Sequence, residues 1–567
     1  MASDFFRRCR AGRDGCPVFR VDRRSMTKPS EPWIATPHLR PDYRGPVGRA
    51  YVPFQDPALS APMIATLEGL ATKSADAIAV DAPGEALSYR SLWQAVCRLR
   101  SQIASIAETN AAIAIRLPIG AAYVVAVFAV LASRRIGLLL DQKFPDDRNA
   151  AIAALAGVDV VLVASELGDA CVWRDVARVN IAAAFDQTVA VDAPAHDALA
   201  LDEPAFILCT SGSTGLPKAI VHSQRTMLHW ARTVADAMHL TPEDRVLSVS
   251  SPSNLGGFVA LLACALTGAS MQMLDVASLG LGALINVLET RPVTILRAAP
   301  SFLRSLARVP GAAAAMARLR LLQLFGEPLW KADLEELRKI LPAGCLIRST
   351  YGSTEASGLS WFAGDPDDYD PLRVATGILM PDTTALVTAD DGRPCPPGEA
   401  GELVIRSQYN ALGEWREGRI LGGMFEPAAP DDSSRTYRTG DIARFHPDGV
   451  FVVLGRKDRM LKINGQRVEP GEVEAALRRS PEVAEAEVLP YDLAGATRLV
   501  AFAIPAANAA PDLANRLKRD LQSLLPRFMI PSRILLLSVM PRLPGGKVDA
   551  QRLLALADES ASSAMQP

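Results

Sequence analysis

The chain has 567 residues, 49% of them hydrophobic, with 60 Lys and Arg against 62 Asp and Glu for a net charge of −2. That length exceeds a single hydrophobic core and, at ~150 residues per domain, predicts three or four folding units. The near-neutral balance excludes a global field for nucleic acid or an anionic membrane, and the eight cysteines, none in a C-x-x-C pair, read as thiols of a reducing compartment rather than a disulfide framework.

In chain order, residues 1–55 hold many Arg and Pro with no helical or strand period and predict an irregular extension on the main body. Arg7, Arg8, Arg10 and Arg13 are followed by no apolar stretch, so the N-terminus is not a secretory signal. The pattern then predicts a helix over 63–71, a strand pair around 77–88 and a long helix from Tyr89, followed by strand 111–117, helix 124–132 and strands 137–140 and 158–164. That rhythm belongs to a parallel sheet covered by helices. A second such block runs over 245–341, with strands near 246–249, 271–274, 293–298 and 320–324. The longest apolar runs, 121–132 and 256–269, are too short to span a bilayer, and a cytoplasmic location is expected. After Thr354, short β segments at 384–387, 401–405 and 449–454 with Gly and Pro turns predict a small barrel or sandwich. The expected fold is α/β: a large N-terminal domain of doubly wound sheets plus a small β-barrel, then a small mobile α+β C-terminal domain. Its boundaries are 1–55 for the extension, 56–455 for the large domain, 456–557 for the lid and 558–567 for a frayed tail.

The chemistry concentrates in LCTSGSTGLPKAIVHS, residues 208–223, between an apolar run at 205–209 and an amphipathic one. Gly212 and Gly215 let backbone N–H groups turn toward an anion, Thr210, Ser211, Ser213 and Thr214 add hydroxyls, and Lys218 adds a charge. The spacing G-x-x-G-x-x-K, with Ala219 where a magnesium-binding hydroxyl is needed, excludes a Walker A loop. Four further stretches follow: YGSTE at 351–355, YRTGDI at 437–442, GRKDRMLKINGQRVEPGEVE at 455–474 and PRLPGGK at 541–547. In this order and spacing the five resemble the core motifs of the adenylate-forming superfamily, which comprises acyl-CoA and aryl-CoA synthetases, nonribosomal peptide synthetase adenylation domains and luciferases. The resemblance covers about Pro53 to Leu556 and is closest in texture to a stand-alone adenylation enzyme.

The resemblance implies ATP and Mg²⁺ as cofactors and a carboxylic acid as substrate, joined to the α-phosphorus with release of pyrophosphate. Charge building on the phosphoryl oxygens calls for donors and a cation. The 210–218 loop would cradle the β- and γ-phosphates, Thr354 would bond the α-phosphate, and Glu355 would hold Mg²⁺. Tyr351, followed by Gly352, would stack on adenine, with Gly326 and Glu327 along its edge. Asp441 would accept both ribose hydroxyls beside Arg456. Lys547 would bridge the carboxylate and the α-phosphate, and Asp458 would be the hinge about which the C-terminal domain swings.

The loop 247–270 resembles the stretch that opens the acyl pocket, where amino-acid-activating members usually carry Phe-Asp and this chain has Ser253 and Asn254. A neutral amide does not compensate a desolvated ammonium, so the expected acid lacks an α-amino group. Gly256, Gly257, Ala298 and Ala299 would leave room for it. Residues 462–469, KINGQRVE, read like the peptide-synthetase branch, and no carrier motif follows Leu556. A phosphopantetheinyl carrier protein in trans is the first expected acceptor and CoA the second. A luciferase-like oxidative member and a non-catalytic carrier-docking scaffold remain open, while nucleic acid and membrane are not expected partners.

Overall fold

The computed structural model describes residues 33–35, 51, 53, 61–106, 112–144, 146–164, 176–186, 188, 200–210, 218–363, 368–416, 418–426, 433–457, 461–463, 466–468, 470–493, 496–507, 509–525, 529–543 and 548–563.

Two large mixed sheets form the body. One has nine strands, whose parallel centre runs in spatial order Ile78–Ala82, Ser270–Gln272, Arg245–Ser248, Ile295–Ala298, Leu321–Phe325 and Leu346–Tyr351. The other has eight, with Pro204–Thr210, Ile136–Leu139, Ala112–Ile115, Val158–Val163 and Ala177–Asn180 parallel. Between them lies a core fed by the helices Ala121–Ala132 and Leu255–Thr267. These helices contain the apolar runs that are too short for a bilayer. In the first, every residue except Ala122 is buried, and each Val, Leu or Phe so covered contributes about 1.5–3 kcal/mol. Among the described residues no helix is long and apolar enough to cross a membrane.

Several expectations are corrected here. A helix, Asp146–Ala156, joins strands that were read as consecutive; both flank Ala112–Ile115 in parallel, and such a crossover needs a helix. Its Ala-rich sequence gives little hydrophobic period, which hides it. The amphipathic run after the polar loop is a strand, Lys218–Ser223, antiparallel to Pro204–Thr210. The third sheet, where a small barrel was expected, has six strands. It runs from Ile34–Ala35 to Phe425–Glu426 with no described pairing that closes it. Residues 34–35 of the extension therefore form an edge strand, on Thr384–Thr388.

Beyond residue 470 the chain builds a three-stranded sheet, Val483–Leu493, Ala496–Pro505 and Arg533–Leu536, covered by the helices Pro470–Arg478, Leu513–Leu524 and Ala550–Ser563. The last helix runs through residues expected to fray. Tyr491 donates to Asp558 at 2.8 Å and Arg552 pairs with Glu559 at 3.1 Å, so this tail has partners that composition alone does not announce.

Candidate active site

The strand Leu346–Tyr351 ends in a turn that returns as the antiparallel strand Leu359–Ala363. Ser353 N–H donates to Ala356 O at 3.1 Å, and Ala356 N–H donates to Ser353 Oγ at 3.2 Å. A Cβ on Gly358 would stand 2.1 Å from the Tyr351 carbonyl oxygen, so only glycine permits this approach. Thr354 and Glu355, half-buried, occupy the apex of the turn. The other sheet fixes them from behind. Ala411 N–H donates to Glu355 O at 2.9 Å, and Leu412 N–H donates to Val221 O at 2.8 Å. The wholly buried His222 meets the Thr354 backbone, with Trp230 edge-on at 5.1 Å. Burial drives the His222 pKa down to about 3, so the ring behind the turn is neutral.

That same strand begins at Lys218, which is exposed and is the cross-strand partner of Thr210. The strand that begins at Lys218 is thus tied to the Thr354–Glu355 turn through Val221 and the 411–412 segment. Ser211, Gly212, Ser213, Thr214 and Gly215 lie outside the described residues, as do Asp458 and Lys547.

Tyr351, Asp441 and Arg456, far apart in sequence, meet on the third sheet's side of the turn. The Tyr351 hydroxyl donates to Asp441 Oδ2 at 2.5 Å. Asp441 N–H donates to Thr439 Oγ1 at 3.0 Å, and Arg456 Nη1 lies 3.5 Å from Asp441 Oδ1 while donating to Thr439 O at 2.9 Å. Asp441 and Arg456 are register partners on adjacent strands. Gly440, at φ +68°, makes the bend, and a Cβ there would sit 3.2 Å from the guanidinium. Burial, then the Asp441 charge, holds the Tyr351 phenol well above its ordinary pKa, so it remains a donor. One oxygen of Asp441 therefore accepts from the tyrosine while the other lies beside the Arg456 guanidinium.

Other expected residues are placed differently. Glu327 accepts from Ser301 N–H at 2.9 Å and from Ser301 Oγ at 2.7 Å, so its carboxylate is committed to the helix Pro300–Leu306 instead of an adenine edge. Gly326, at φ +84°, has nothing within 4 Å of the point where a Cβ would stand and borders open space, and Gly352 is exposed. Gly256 and Gly257 do not leave room for an acyl group. A Cβ on Gly256 would meet the Phe325 ring at 2.4 Å, and one on Gly257 would meet Ser251 O at 2.3 Å and Ser250 O at 2.5 Å. These glycines let the helix Leu255–Thr267 dock. Asn254 is the exposed N-cap of that helix, without a side-chain capping bond. Ala299 is half-buried after the strand Ile295–Ala298.

Sequence reasoning missed Arg297, a guanidinium 3% exposed in the strand that leads to Ala299. One charge inside the otherwise apolar TILRAA (294–299) was the available signal. It also missed His222 and the 409–412 segment, whose roles arise from contacts between the two sheets.

The Glu355 carboxylate makes no hydrogen bond or ion pair with a described residue, and it helps burial to raise the Tyr437 pKa. A small divalent ion held mainly by phosphates takes one or two protein carboxylates. This uncommitted acid fits that role, whereas no group of three or more His, Cys, Asp or Glu able to hold a metal occurs among the described residues.

Comparison with known proteins agrees with this geometry. The AMP-binding enzyme family matches residues 67–415, and the AMP-binding enzyme C-terminal domain matches 472–547. The chain belongs to the AMP-binding enzymes. It is 31% identical over 508 residues to phosphinothricin tripeptide synthetase PhsC of Streptomyces viridochromogenes, spanning 88% of this chain and 45% of that one. It is 30% identical over 480 residues to novobiocin biosynthesis protein H of Streptomyces niveus, spanning 82% and 78%. The chain therefore covers less than half the length of the first of these relatives. In fold it matches the anthranilate CoA ligase AuaEII with anthranoyl-AMP, at a TM-score of 0.76, 20% identity and 88% and 98% coverage. It also matches the four-domain nonribosomal peptide synthetase AB3403 bound to AMP and glycine, at 0.76, 23%, 88% and 36%. The protein is an adenylating ligase of the AMP-binding enzyme family.

Proposed function

We propose that this enzyme activates a carboxylic acid without an α-ammonium group and passes it to the phosphopantetheine thiol of a carrier protein in trans. A carboxylate oxygen attacks the α-phosphorus of ATP and pyrophosphate leaves. The thiol sulfur then attacks the acyl carbonyl, its proton is lost, and AMP leaves. The observation that carries the first half is the joining of the Thr354–Glu355 turn to the Tyr351–Asp441–Arg456 cluster. Asp441 and Arg456 hold the ribose, Tyr351 braces Asp441 and offers its ring to adenine, and Thr354 donates to the α-phosphate from a turn that cannot drift. Thr210, Lys218 and the residues between them receive the outer phosphates. Glu355 would hold magnesium, which would supply neutralisation of phosphate charge. Lys547 orients the two reacting groups, and Asp458 is the hinge that removes it before thiol attack.

The acid's class rests on a missing counter-charge: no carboxylate occurs in SSPSNLGG, residues 250–257, and a buried guanidinium, Arg297, lies behind that loop. An ammonium there finds repulsion instead of a partner. The acceptor rests on the peptide-synthetase texture of residues 462–469 and on relatives such as PhsC; the fold likeness to a CoA ligase makes CoA the competing acceptor. A cytoplasmic setting, where ATP and carrier are available, belongs to the same reading.

Pyrophosphate release across matched hydroxy, aryl, short acyl and amino acids tests the first half, and loading of a holo-carrier against free CoA tests the second. The expected result is release with acids lacking the amino group and faster loading of the carrier. Preference for the α-amino acid of the same skeleton, or transfer to CoA alone, overturns the corresponding half.

A further inference from the structure

The parallel strands Arg245–Ser248, Ile295–Ala298, Leu321–Phe325 and Leu346–Tyr351 bring Ser248, Arg297, Gln323 and Arg348 into register. Side chains in register on parallel strands share a face, here the face toward the inter-sheet helix Leu255–Thr267. Two residues further, ~7 Å along the strands, the same face carries Ala299, Phe325 and Thr350, all half-buried at the C-terminal end, where Tyr351 enters the Thr354–Glu355 turn. Arg297 thus lies one layer below that end.

Its company is unusual for a charge at that depth. Arg297 Nε donates to Gln323 Oε1 at 2.9 Å, Nη1 donates to Gly256 O at 2.6 Å, and the Phe325 ring centroid lies 5.2 Å from its Cζ. No described carboxylate lies within ion-pair distance. Arg116, Arg320 and Arg444, by contrast, hold Asp146, Asp244 and Asp370. Burial lowers the Arg297 pKa to about 10, which leaves it charged at neutral pH. A buried cation with neutral partners costs stability unless an anion joins it. Nη2 takes part in neither of these two hydrogen bonds, and a guanidinium edge is matched in shape and charge to a carboxylate.

We propose that Arg297 is a specificity-determining residue at the floor of the acyl cleft, and that the acid selected carries a second carboxylate at the end opposite the one adenylated. The inference rests on the reading that this cleft adenylates a carboxylic acid. The Phe325 ring stands over the guanidinium and packs on Gly256, so it must turn aside for the distal group to reach Arg297.

The test is kcat/KM for pyrophosphate release with dicarboxylic acids of about four to six carbons, a length set by the ~7 Å layer spacing, each beside its monoamide and its monocarboxylic counterpart. Wild type is expected to favour the diacid by about 100-fold or more, as a site built for a polar group rejects the analogue lacking it. Arg297→Met is expected to bring that ratio to one or below, and Arg297→Lys to keep part of it. A wild type that treats the pairs equally or favours the neutral acid overturns the inference, as does a diacid preference that survives in Arg297→Met. Should the Met variant not fold, judged by loss of an ATP-induced thermal shift, the wild-type pairs and Arg297→Lys decide the matter. Release with neutral acids alone removes the role of Arg297 and leaves adenylation intact; no release with any acid removes the underlying reading.

Discussion

Tyr351 joins two parts of the site through one side chain: its backbone ends the strand that leads into the Thr354–Glu355 turn, and its hydroxyl orients Asp441 from across the cleft. Tyr351→Phe keeps the ring and removes only the donor. A hydrogen bond to a charged group contributes ~1.5–3 kcal/mol, so KM for ATP is expected to rise by roughly 10- to 100-fold while kcat changes by only a few-fold. Pyrophosphate release at varied ATP checks this, and an unchanged KM separates the phenol from ribose binding. At this scale the motifs are legible in the sequence, but the engagement of their side chains is not. YGSTE and TGD are plain in the sequence; that Glu327 accepts from Ser301 is not, because such a contact depends on where the helix Pro300–Leu306 ends up.

Among the elements, the glycines divide by what their missing side chains face. At Gly358 the obstacle is the Tyr351 carbonyl, which is backbone and cannot yield without opening the turn. Gly358→Ala is therefore expected to cost about 1–3 kcal/mol or more, as overpacking does, and to lower adenylation by at least ~100-fold. At Gly256 the obstacle is the edge of the Phe325 ring, which can rotate. Gly256→Ala is expected to keep Tm within a few degrees and to change the preference among acids instead. Thermal unfolding with kcat/KM for both variants distinguishes the cases, and equal effects on Tm would show that the helix Leu255–Thr267 cannot accommodate the moved ring. The hairpin around 211–217 belongs at this scale too. A strand followed by an amphipathic run reads equally as strand–loop–helix or strand–loop–strand, and antiparallel pairing with Pro204–Thr210 decided for the strand Lys218–Ser223.

For the molecule as a whole, the question is how one site would perform the two proposed reactions. Lys547 and Asp458 lie outside the described residues, while Arg308 Nη2 donates to Ala484 O at 3.1 Å and ties the body to the C-terminal sheet. Lys547→Ala is expected to nearly abolish pyrophosphate release yet spare transfer from preformed acyl-adenylate, because in the proposed mechanism its charge serves the first half-reaction. Asp458→Pro restricts backbone rotation at the proposed hinge, and adenylation is expected to survive in it while thioester formation falls. Separate assays of the two half-reactions check both variants. Loss of both steps together in Asp458→Pro removes the hinge.

The sequence by itself determined the α/β class and the five motifs, because local period and turn chemistry depend on residues close together in the chain. Only the tertiary structure decided that Tyr351, Asp441 and Arg456 share one network, that His222 backs Thr354, and that Asn254 caps a helix at an exposed position. It also decided that Gly256 and Gly257 serve close packing where space for a substrate was expected. The buried charge of Arg297 shows the reason. Its presence in TILRAA is a local fact, but whether it has a counter-ion depends on strands and a helix contributed by residues 256 and 323. Partners separated by tens of residues leave no periodic mark in either segment, and only the pairing of strands brings them within hydrogen-bonding distance.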